Sequence, residues 1–405
     1  MENIFLKIPD LGEKIFRELD NQSFVKCKKV QRSWYNFIDE EKVLWFRIIQ
    51  NYIGNDNKYL TAWRKVLKNA PVEFVTHIAH ATLQYHTEFQ MNCQVSPIHV
   101  AAYDGNLDMY QPMMVKLANM NEANIFGNHH PLLIAAYKGH LEICQHFIGK
   151  LGDKNLARDD GTTPLFIAAE RGYFEICKFI LANVEEKNPA RLDGVTPLFM
   201  AAQNGHYTIC RLLIANVENK NPARPDGVTP LFMAALQGHY EICKHIIANV
   251  DNKNPAGPNG STPLHIAAEK GYFEIVKLIL QSMGNDDKNP KIDAGPNGGC
   301  TPLHTAARMG HLEICKIILE EVDNKNPTMN LGWTPLHFAA DNGHLEVFKF
   351  INEKVLVKNP KTIDGFTPQE LAAKYCKRFI ATTHGQNVSD SMLNLLNRTT
   401  TSDMI

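Results

Sequence analysis

A Thr-Pro pair that recurs at a constant spacing is the feature that most constrains the fold of this chain of 405 residues. The interval between Pro263 and Pro302 is longer than the others, and the first two members of the series carry Ser-Pro and His-Pro in place of Thr-Pro. A period of about 33 residues is typical of a stacked array in which each unit contacts only its neighbours. The prolines of the nine units are Pro97, Pro131, Pro164, Pro197, Pro230, Pro263, Pro302, Pro335 and Pro368.

The unit around Pro230 predicts the local structure of all nine. The Asp-Gly pair at residues 226–227 favours a tight turn, Thr229 is a suitable helix N-cap, and Pro230 fits the first helical position because no amide hydrogen is needed there. Gly238 favours a left-handed helix end. A second helix is predicted for 240–247, where apolar residues recur at i, i+3 and i+4. Each unit is therefore expected to contain a turn, a short helix and a second helix.

These units resemble the ankyrin repeat. The motif Thr-Pro-Leu-His-x-Ala-Ala stands at 262–268, with close copies at 301–307 and 334–340. The resemblance implies an all-α ankyrin-repeat solenoid of about nine repeats with β-turn fingers, assigned to residues 91–383, and an insertion at 282–299 lengthens one loop. Where the family usually has His, three units have Phe166, Phe199 and Phe232, so we expect packing to replace the usual inter-repeat hydrogen bond there.

The segment 1–48 resembles a different family, the F-box. Within it, Val30–Trp34 and Leu44-Trp45 follow the order of the F-box pattern. The resemblance implies a small helical domain at 1–48 that binds a Skp1-type adaptor within a cullin complex. A plain helical cap on the array is the alternative. The residues assigned to adaptor binding are Ile8, Pro9, Ile15, Phe16, Leu19, Val30 and Trp34.

Two further segments flank the array. Residues 49–90 have helical periodicity and are predicted to form a helical bridge between the two modules. The tail at 384–405 is polar, with a short apolar run at Met392–Leu396 that is compatible with a short helix.

Composition excludes several classes of function. Lys and Arg total 42 against 43 for Asp and Glu, and this balance argues against a nucleic-acid or anionic-membrane binder. No apolar segment is long enough to span a membrane, so a cytoplasmic location is expected, with the nucleus as a second one.

Catalytic and phosphate-binding motifs are missing from the sequence, so we expect no enzyme activity and no cofactor. His77, His80 and His86 have no Cys or carboxylate at ligand spacing, so no metal is expected either.

Cysteine and histidine recur at fixed positions of the units. The cysteines at 144, 177, 210, 243 and 315 occupy one position of the second helix, and neighbouring helix axes are too far apart for a disulfide. We therefore expect buried packing. The histidines that follow glycine, at 140, 206, 239, 311 and 344, are expected to make structural hydrogen bonds.

The fingers and the first helices supply the candidate partner-binding residues. Arg158, Arg191 and Arg224 recur at the period of the repeat and suit carboxylate or phosphate groups, the alternative being solvated fingertips without a partner. A lysine ladder, including Lys187, Lys253 and Lys325, is expected to be neutralised by acids two residues earlier, which leaves the arginines as the unbalanced charges. Trp333 and Phe366 are candidate aromatic anchors, with packing against the next finger as the alternative. The variable helix positions are Gln203, Leu236 and Met309.

Taken together, the two resemblances imply a substrate receptor of a Skp1-cullin-F-box ubiquitin ligase. The F-box would bind the adaptor and the ankyrin surface would bind an unknown protein substrate. The alternative is an ankyrin scaffold or inhibitor with no ligase link.

Overall fold

The computed structural model describes residues 77–78, 81–82, 84, 97–107, 130–149, 156–284, 288–292 and 298–383. The chain divides into two compact units, residues 1–153 and 154–405. Bounds are given for 16 α-helices in the described residues, further helical residues stand at 77–78, 81–82, 84 and 107, and no β-strand occurs among them, which confirms the predicted all-α repeat fold. The F-box candidates between Ile8 and Trp34, the borders at 48 and 90, and the tail lie outside the described residues and stay predictions.

The first unit contains three helices whose bounds are described, and only Gly139 and His140 separate the last two. α1 packs on α2, and α2 packs on α3. The helices are α1 (Pro97–Asp104), α2 (Pro131–Lys138) and α3 (Leu141–Ile148).

The second unit is a regular series in which a first helix and a second helix alternate, with a 3-10 turn at Pro258–Gly260. Each first helix packs on the next first helix, and each second helix packs on the next second helix. The helices are α4 (Pro164–Arg171), α5 (Phe174–Asn183), α6 (Pro197–Gln203), α7 (Tyr207–Asn216), α8 (Pro230–Gln237), α9 (Tyr240–Ala248), α10 (Pro263–Lys270), α11 (Phe273–Ser282), α12 (Pro302–Met309), α13 (Leu312–Glu321), α14 (Pro335–Asp341), α15 (Leu345–Lys354) and α16 (Pro368–Thr383).

The first helices begin as the sequence predicts. The Thr229 hydroxyl accepts the backbone N–H of Phe232 at 3.2 Å, and Pro230 occupies the first helical position. Thr163 and Thr196 cap α4 and α6 in the same way. Because these caps satisfy N–H groups that have no partner inside the helix, they fix where each helix begins.

Glycine and histidine join consecutive repeats where the first helix ends. Gly172 has φ +84°, and a Cβ on it would lie 2.7 Å from the His206 ring of the next repeat. The His206 ring packs there and its Nε2 donates to the Glu170 carbonyl at 3.0 Å. This confirms the structural role predicted for the repeated histidines. Equivalent bonds join His140 to Tyr103, His239 to Gln203, His311 to Glu269 and His344 to Arg308.

The repeated cysteines lie in the cores of the units. Cys144, Cys177, Cys210, Cys243 and Cys315 have no exposed surface, and all five are free thiols. Burial raises the pKa of the Cys177 thiol to about 12, because the thiolate would lose its hydration. Buried packing, as predicted from their spacing, is confirmed.

Candidate protein-binding surface

The fingers of the second unit are tight turns that form a hydrogen-bonded row. In one finger the Gly194 N–H donates to the Arg191 carbonyl at 2.9 Å. Neighbouring fingers are joined where Leu192 N–H donates to the Asp160 carbonyl (3.0 Å) and where Ile363 N–H donates to the Leu331 carbonyl (3.1 Å). Pro225 and Pro258 occupy the donor position of two intervening fingers. Since proline has no N–H, this bond cannot form at those two junctions.

The finger arginines are paired with acids of the same row. The Arg191 Nη2 lies 3.4 Å from Asp193 and 3.8 Å from Asp160, and the Arg224 Nη2 lies 3.1 Å from Asp226. The two guanidinium groups also lie over aromatic rings, Arg191 over Phe166 at 5.2 Å and Arg224 over Phe199 at 5.6 Å from the centroid. The expectation that these arginines are unbalanced charges is therefore wrong for Arg191 and Arg224. Their contact with a partner stays a prediction.

Asp160 shows the electrostatic effect of this arrangement. Partial burial by itself would raise the pKa of Asp160, but the hydrogen bond from the Thr162 N–H at 2.8 Å and the nearby Arg191 and Arg158 together lower it. The carboxylate therefore stays ionised to a lower pH than an ordinary aspartate does. Arg158, the third predicted ladder residue, lies half-buried in the same finger.

Three of the finger lysines bond to backbone carbonyls and not to the acids that the sequence predicted as their partners. The Nζ of Lys253 donates to the carbonyls of Ile247 (2.6 Å) and Val250, and Lys187 and Lys325 make the equivalent bonds. In the described part of the chain these three lysines form no ion pair with the acids two residues earlier, so that prediction is wrong. The physical reason is that the last carbonyls of a helix lack intrahelical partners and carry partial negative charge.

One position, two residues after the proline, carries phenylalanine in α4, α6 and α8 and histidine in α10, α12 and α14. Phe166, Phe199 and Phe232 form one buried cluster with Val195 and Val228, and this confirms that packing replaces the missing hydrogen bond. Partly buried side chains cover the cluster, namely Met200, Met233 and Ile266.

Three buried histidines occupy the equivalent position in the following repeats. The Nδ1 of His265 accepts the Thr262 N–H at 3.2 Å, so the proton lies on Nε2, which donates to the Cys300 carbonyl of the next finger at 3.2 Å. His304 and His337 bond to the carbonyls of Trp333 and Phe366 in the same way. Burial lowers the pKa of His265 to about 4 and that of His304 to about 3, so both are neutral in the folded chain near pH 7.

The remaining predicted site residues differ in exposure. Gln203 and Leu236 are half-buried near the ends of α6 and α8, and Met309 is exposed at the end of α12. Trp333 is half-buried because its ring packs on Phe338, with centroids 4.9 Å apart. Phe366 is exposed, with the Nζ of Lys374 at 5.8 Å from its ring centroid.

Several apolar residues that the sequence did not indicate as binding residues are exposed in the structure. Leu331 and Ile363 stand at two adjacent fingertips, 53% and 72% exposed, and Leu356 and Val357 stand in the loop after α15, 99% and 62% exposed. A signal for Leu356 was available, because five earlier repeats carry an acid at its position. Together with Phe366, these residues concentrate exposed apolar surface between residues 331 and 366. Those five acids are Glu185, Glu218, Asp251, Asp286 and Asp323.

Potential metal ligands do not cluster in the part of the chain that the structure describes. Among those residues, no three His, Cys, Asp or Glu side chains are grouped to hold a metal ion, and His77 instead lies 2.8 Å from Asp104. No helix in the described ranges is both long and apolar enough to cross a membrane.

The structure thus shows repeated helix pairs, a row of turn fingers and histidine bonds between neighbouring repeats, and these features define a helical repeat protein. The family model for ankyrin repeats (3 copies) matches overlapping segments that together span 98–364. The chain belongs to the ankyrin repeat family. The comparison with curated proteins gave no match. The matched segments are 98–190, 132–225, 182–254, 198–292, 231–330 and 284–364.

Membership of this family gives the chain a role in protein–protein interaction, since stacked repeats present extended binding surfaces. The family is generally non-catalytic. The match begins at residue 98, so it does not extend to the segment that resembles the F-box.

Proposed function

We propose that the protein is a substrate receptor of a Skp1-cullin-F-box ubiquitin ligase. The observation that carries the proposal is the joint occurrence of an F-box-like pattern at residues 8–45 and an ankyrin array whose family match begins at residue 98. The first module would bind the Skp1-type adaptor and the second would bind the substrate. The receptor itself would form no bond in the reaction. It would raise the effective concentration of the substrate near the ubiquitin-charged enzyme.

The adaptor contact is tested by co-purification of the full chain with a Skp1-type adaptor. We expect wild type to retain the adaptor and the double variant Ile8→Ala/Pro9→Ala to lose nearly all of it, because both changes remove apolar surface from the proposed contact. Lys14→Ala, a charge change in the same segment, serves as the matched control and should bind like wild type. If wild type retains no adaptor, the ligase proposal is wrong.

That negative result would support the second candidate, an ankyrin scaffold or inhibitor. One observation favours this candidate: the family match accounts for the array alone. In that case the segment at 1–48 would serve as a helical cap, and partner binding to the array would proceed without the adaptor.

The fingertips of the last two described repeats are the best-supported part of the substrate surface. Leu331 and Ile363 are adjacent, because the Ile363 N–H donates to the Leu331 carbonyl, and both side chains point away from the core as judged by their exposure. Phe366 adds an exposed ring at the base of the same finger. Contiguous exposed apolar residues on a folded protein mark an interaction site.

This surface is tested by proximity labelling in cells with the full chain. We expect Leu331→Ser/Ile363→Ser to lose a defined set of labelled proteins by tenfold or more, since apolar contacts at the centre of an interface carry much of its energy. Leu192→Ser, at an exposed fingertip of another finger, is the matched control and should keep that set. Equal labelling by the two variants would place the substrate elsewhere on the stack.

A further inference from the structure

The finger at residues 329–333 carries leucine at a position where earlier fingers carry an acid that closes the turn. The Asp193 carboxylate accepts an N–H of its own turn at 3.1 Å, and Asp160 and Asp226 accept equivalent N–H groups at 2.8 and 3.1 Å. Leu331 stands at the same position but cannot accept a hydrogen bond, and its side chain is exposed. The leucine therefore removes a bond from the turn and puts apolar surface in water, which indicates a role outside the fold.

The next finger adds two apolar side chains to this exposed leucine. The Ile363 N–H donates to the Leu331 carbonyl, and the side chains of Ile363 and Phe366 are exposed. In this finger the Thr362 hydroxyl accepts the Phe366 N–H at 3.0 Å, so threonine closes the turn. Leu331, Ile363 and Phe366 together make up the apolar fingertip surface.

Exposed lysines accompany the apolar fingertip surface. The Nζ of Lys374 lies 5.8 Å from the Phe366 ring centroid, and Lys361 is exposed just before the finger begins. Lys358, in the loop that leads into the finger, is exposed as well. Its equivalent Lys187 is half-buried and bonds to carbonyls at the end of α5, whereas Lys358 makes no such bond among the described residues. These three ammonium groups are therefore open to solvent.

The acids of this segment do not cancel the lysines. The loop at 355–366 holds two lysines and one acid, Asp364, because Leu356 stands where five earlier repeats have an acid. In α16, Glu370 accepts the Thr367 N–H at 2.8 Å and the Thr367 hydroxyl at 2.9 Å. These bonds, with a smaller contribution from a nearby lysine, lower the pKa of Glu370. Its carboxylate is thus used at the start of α16, and an excess of positive charge is left beside the apolar fingertip surface.

We propose that the apolar fingertip surface binds an acidic apolar segment of the substrate, a stretch in which Asp or Glu flanks large apolar side chains. The proposal rests on the proposed function and names the chemical class of its substrate. Apolar side chains of the segment cover Leu331, Ile363 and Phe366, which removes their exposed surface from water. Carboxylates of the segment pair with Lys361 and Lys374, so charge complementarity selects the partner.

An anionic membrane fits the same residues less well. Electrostatic recognition of lipid takes clusters of about four to eight basic residues, more than the lysines found here. Asp364 lies in the same finger and repels a surface that carries negative charge everywhere in its plane, and the whole chain has a net charge of −1. A protein segment can place its carboxylates against the lysines and an uncharged or apolar residue against Asp364.

The substrate class is tested by selection from a library of random dodecapeptides displayed on phage, with the full chain as bait. We expect the enriched peptides to carry more Asp and Glu than Lys and Arg, together with several large apolar residues. The most enriched peptide is then synthesised with a fluorophore, and fluorescence anisotropy gives its Kd for the full chain.

Two double variants separate the apolar from the charged contribution. Leu331→Ser/Ile363→Ser should raise the Kd of that peptide by about tenfold or more, since apolar contacts at the centre of an interface carry much of its energy. Lys361→Glu/Lys374→Glu should raise it by about tenfold or more, because a like charge then faces each carboxylate. For wild type the Kd should rise about tenfold between about 50 mM and about 500 mM salt, since exposed ion pairs are screened.

A matched control keeps the charge change but moves it to another face. Lys178→Glu/Lys244→Glu replaces two exposed lysines of second helices and should bind the peptide like wild type. Enriched peptides without an excess of acids, or no enrichment at all, would overturn the proposal. So would an unchanged Kd in either fingertip variant that circular dichroism shows to be folded. If a variant failed to fold, the composition of the peptides enriched by wild type and the salt dependence of its Kd would still decide.

Vesicles of phosphatidylserine and phosphatidylcholine serve as a second probe. Cosedimentation of wild type that the fingertip variants abolish, without enrichment of acidic peptides, would assign the surface to a membrane and overturn the proposal. The outcome is separable from that of the ligase proposal. A chain that enriches acidic apolar peptides but retains no adaptor keeps this surface and loses the ligase link, and the opposite pair of results keeps the ligase link and removes this surface.

Discussion

The substitution Gly271→Ala is expected to lower the free energy of unfolding by about 3 kcal/mol, the sum of a backbone and a hydrogen-bond effect. Gly271 has φ +81°, where an L-residue costs about 1–2 kcal/mol. The added Cβ would also lie 2.7 Å from Cε1 of His311, so the ring must move and its 3.1 Å hydrogen bond to the Glu269 carbonyl is disturbed. Loss of such a partly buried bond adds about 1–2 kcal/mol. Urea unfolding followed by circular dichroism measures the total.

Gly365→Ala is the matched control for this prediction. Gly365 has φ +84°, but nothing lies within 4 Å of the added Cβ. It should therefore show the backbone strain alone, about 1 kcal/mol. In the background of His311→Ala, the effect of Gly271→Ala should shrink to a similar value, because the clashing ring is gone. Equal losses for Gly271→Ala and Gly365→Ala would show that the histidine contact contributes nothing to stacking.

The buried histidines are expected to make the array sensitive to acid. The pKa of His265 is about 4 and that of His304 about 3 in the folded chain, against about 6.5 when unfolded. Below pH 6.5 the unfolded chain binds protons that the folded chain does not, so stability falls as the pH decreases towards the folded pKa values. Each histidine contributes up to about 1.4 kcal/mol per pH unit to that fall, and for His265 the total is about 3 kcal/mol.

Substitution of His304 separates this titration from its hydrogen bonds. His304→Phe copies the residue found in repeats 3–5, and His304→Gln keeps an acceptor and a donor without a titrating group. Both should reduce the slope of unfolding free energy between pH 6 and pH 4 by about 1.4 kcal/mol per unit. Urea titrations at pH 7, 6, 5 and 4 give the slope. The prediction is contradicted if both variants keep the wild-type slope.

The elements of the repeat were predictable because their signals are local. Thr229 and Pro230 define a helix start from their own chemistry, and Gly238 defines its end, without reference to other repeats. The constant spacing of the units then placed the histidines and cysteines at equivalent positions, and a residue at the same position of every unit in a stack meets the same neighbours.

The contacts of the charged side chains were less predictable, because a long side chain can reach several possible partners. Lys253 bends back to the carbonyls at the end of α9, while the acid two residues before it stays exposed. Arg224 finds Asp226 and an aromatic ring of the previous repeat, a contact that depends on how one repeat sits on the next. Exposed apolar residues such as Leu356 were not predicted, because the pattern that the units share does not indicate where one unit departs from it.

The two prolines in the finger row have a mechanical consequence. Fingers joined by a backbone hydrogen bond, as at Leu192 and Ile363, can separate only if that bond breaks. At Pro225 and Pro258 no such bond holds neighbouring fingers together, so a small change in their spacing requires less energy there. The fingertip edge is therefore stiffer at the bonded junctions 160–192 and 331–363 than at the two proline junctions between them, where the distance between neighbouring fingers can change more easily.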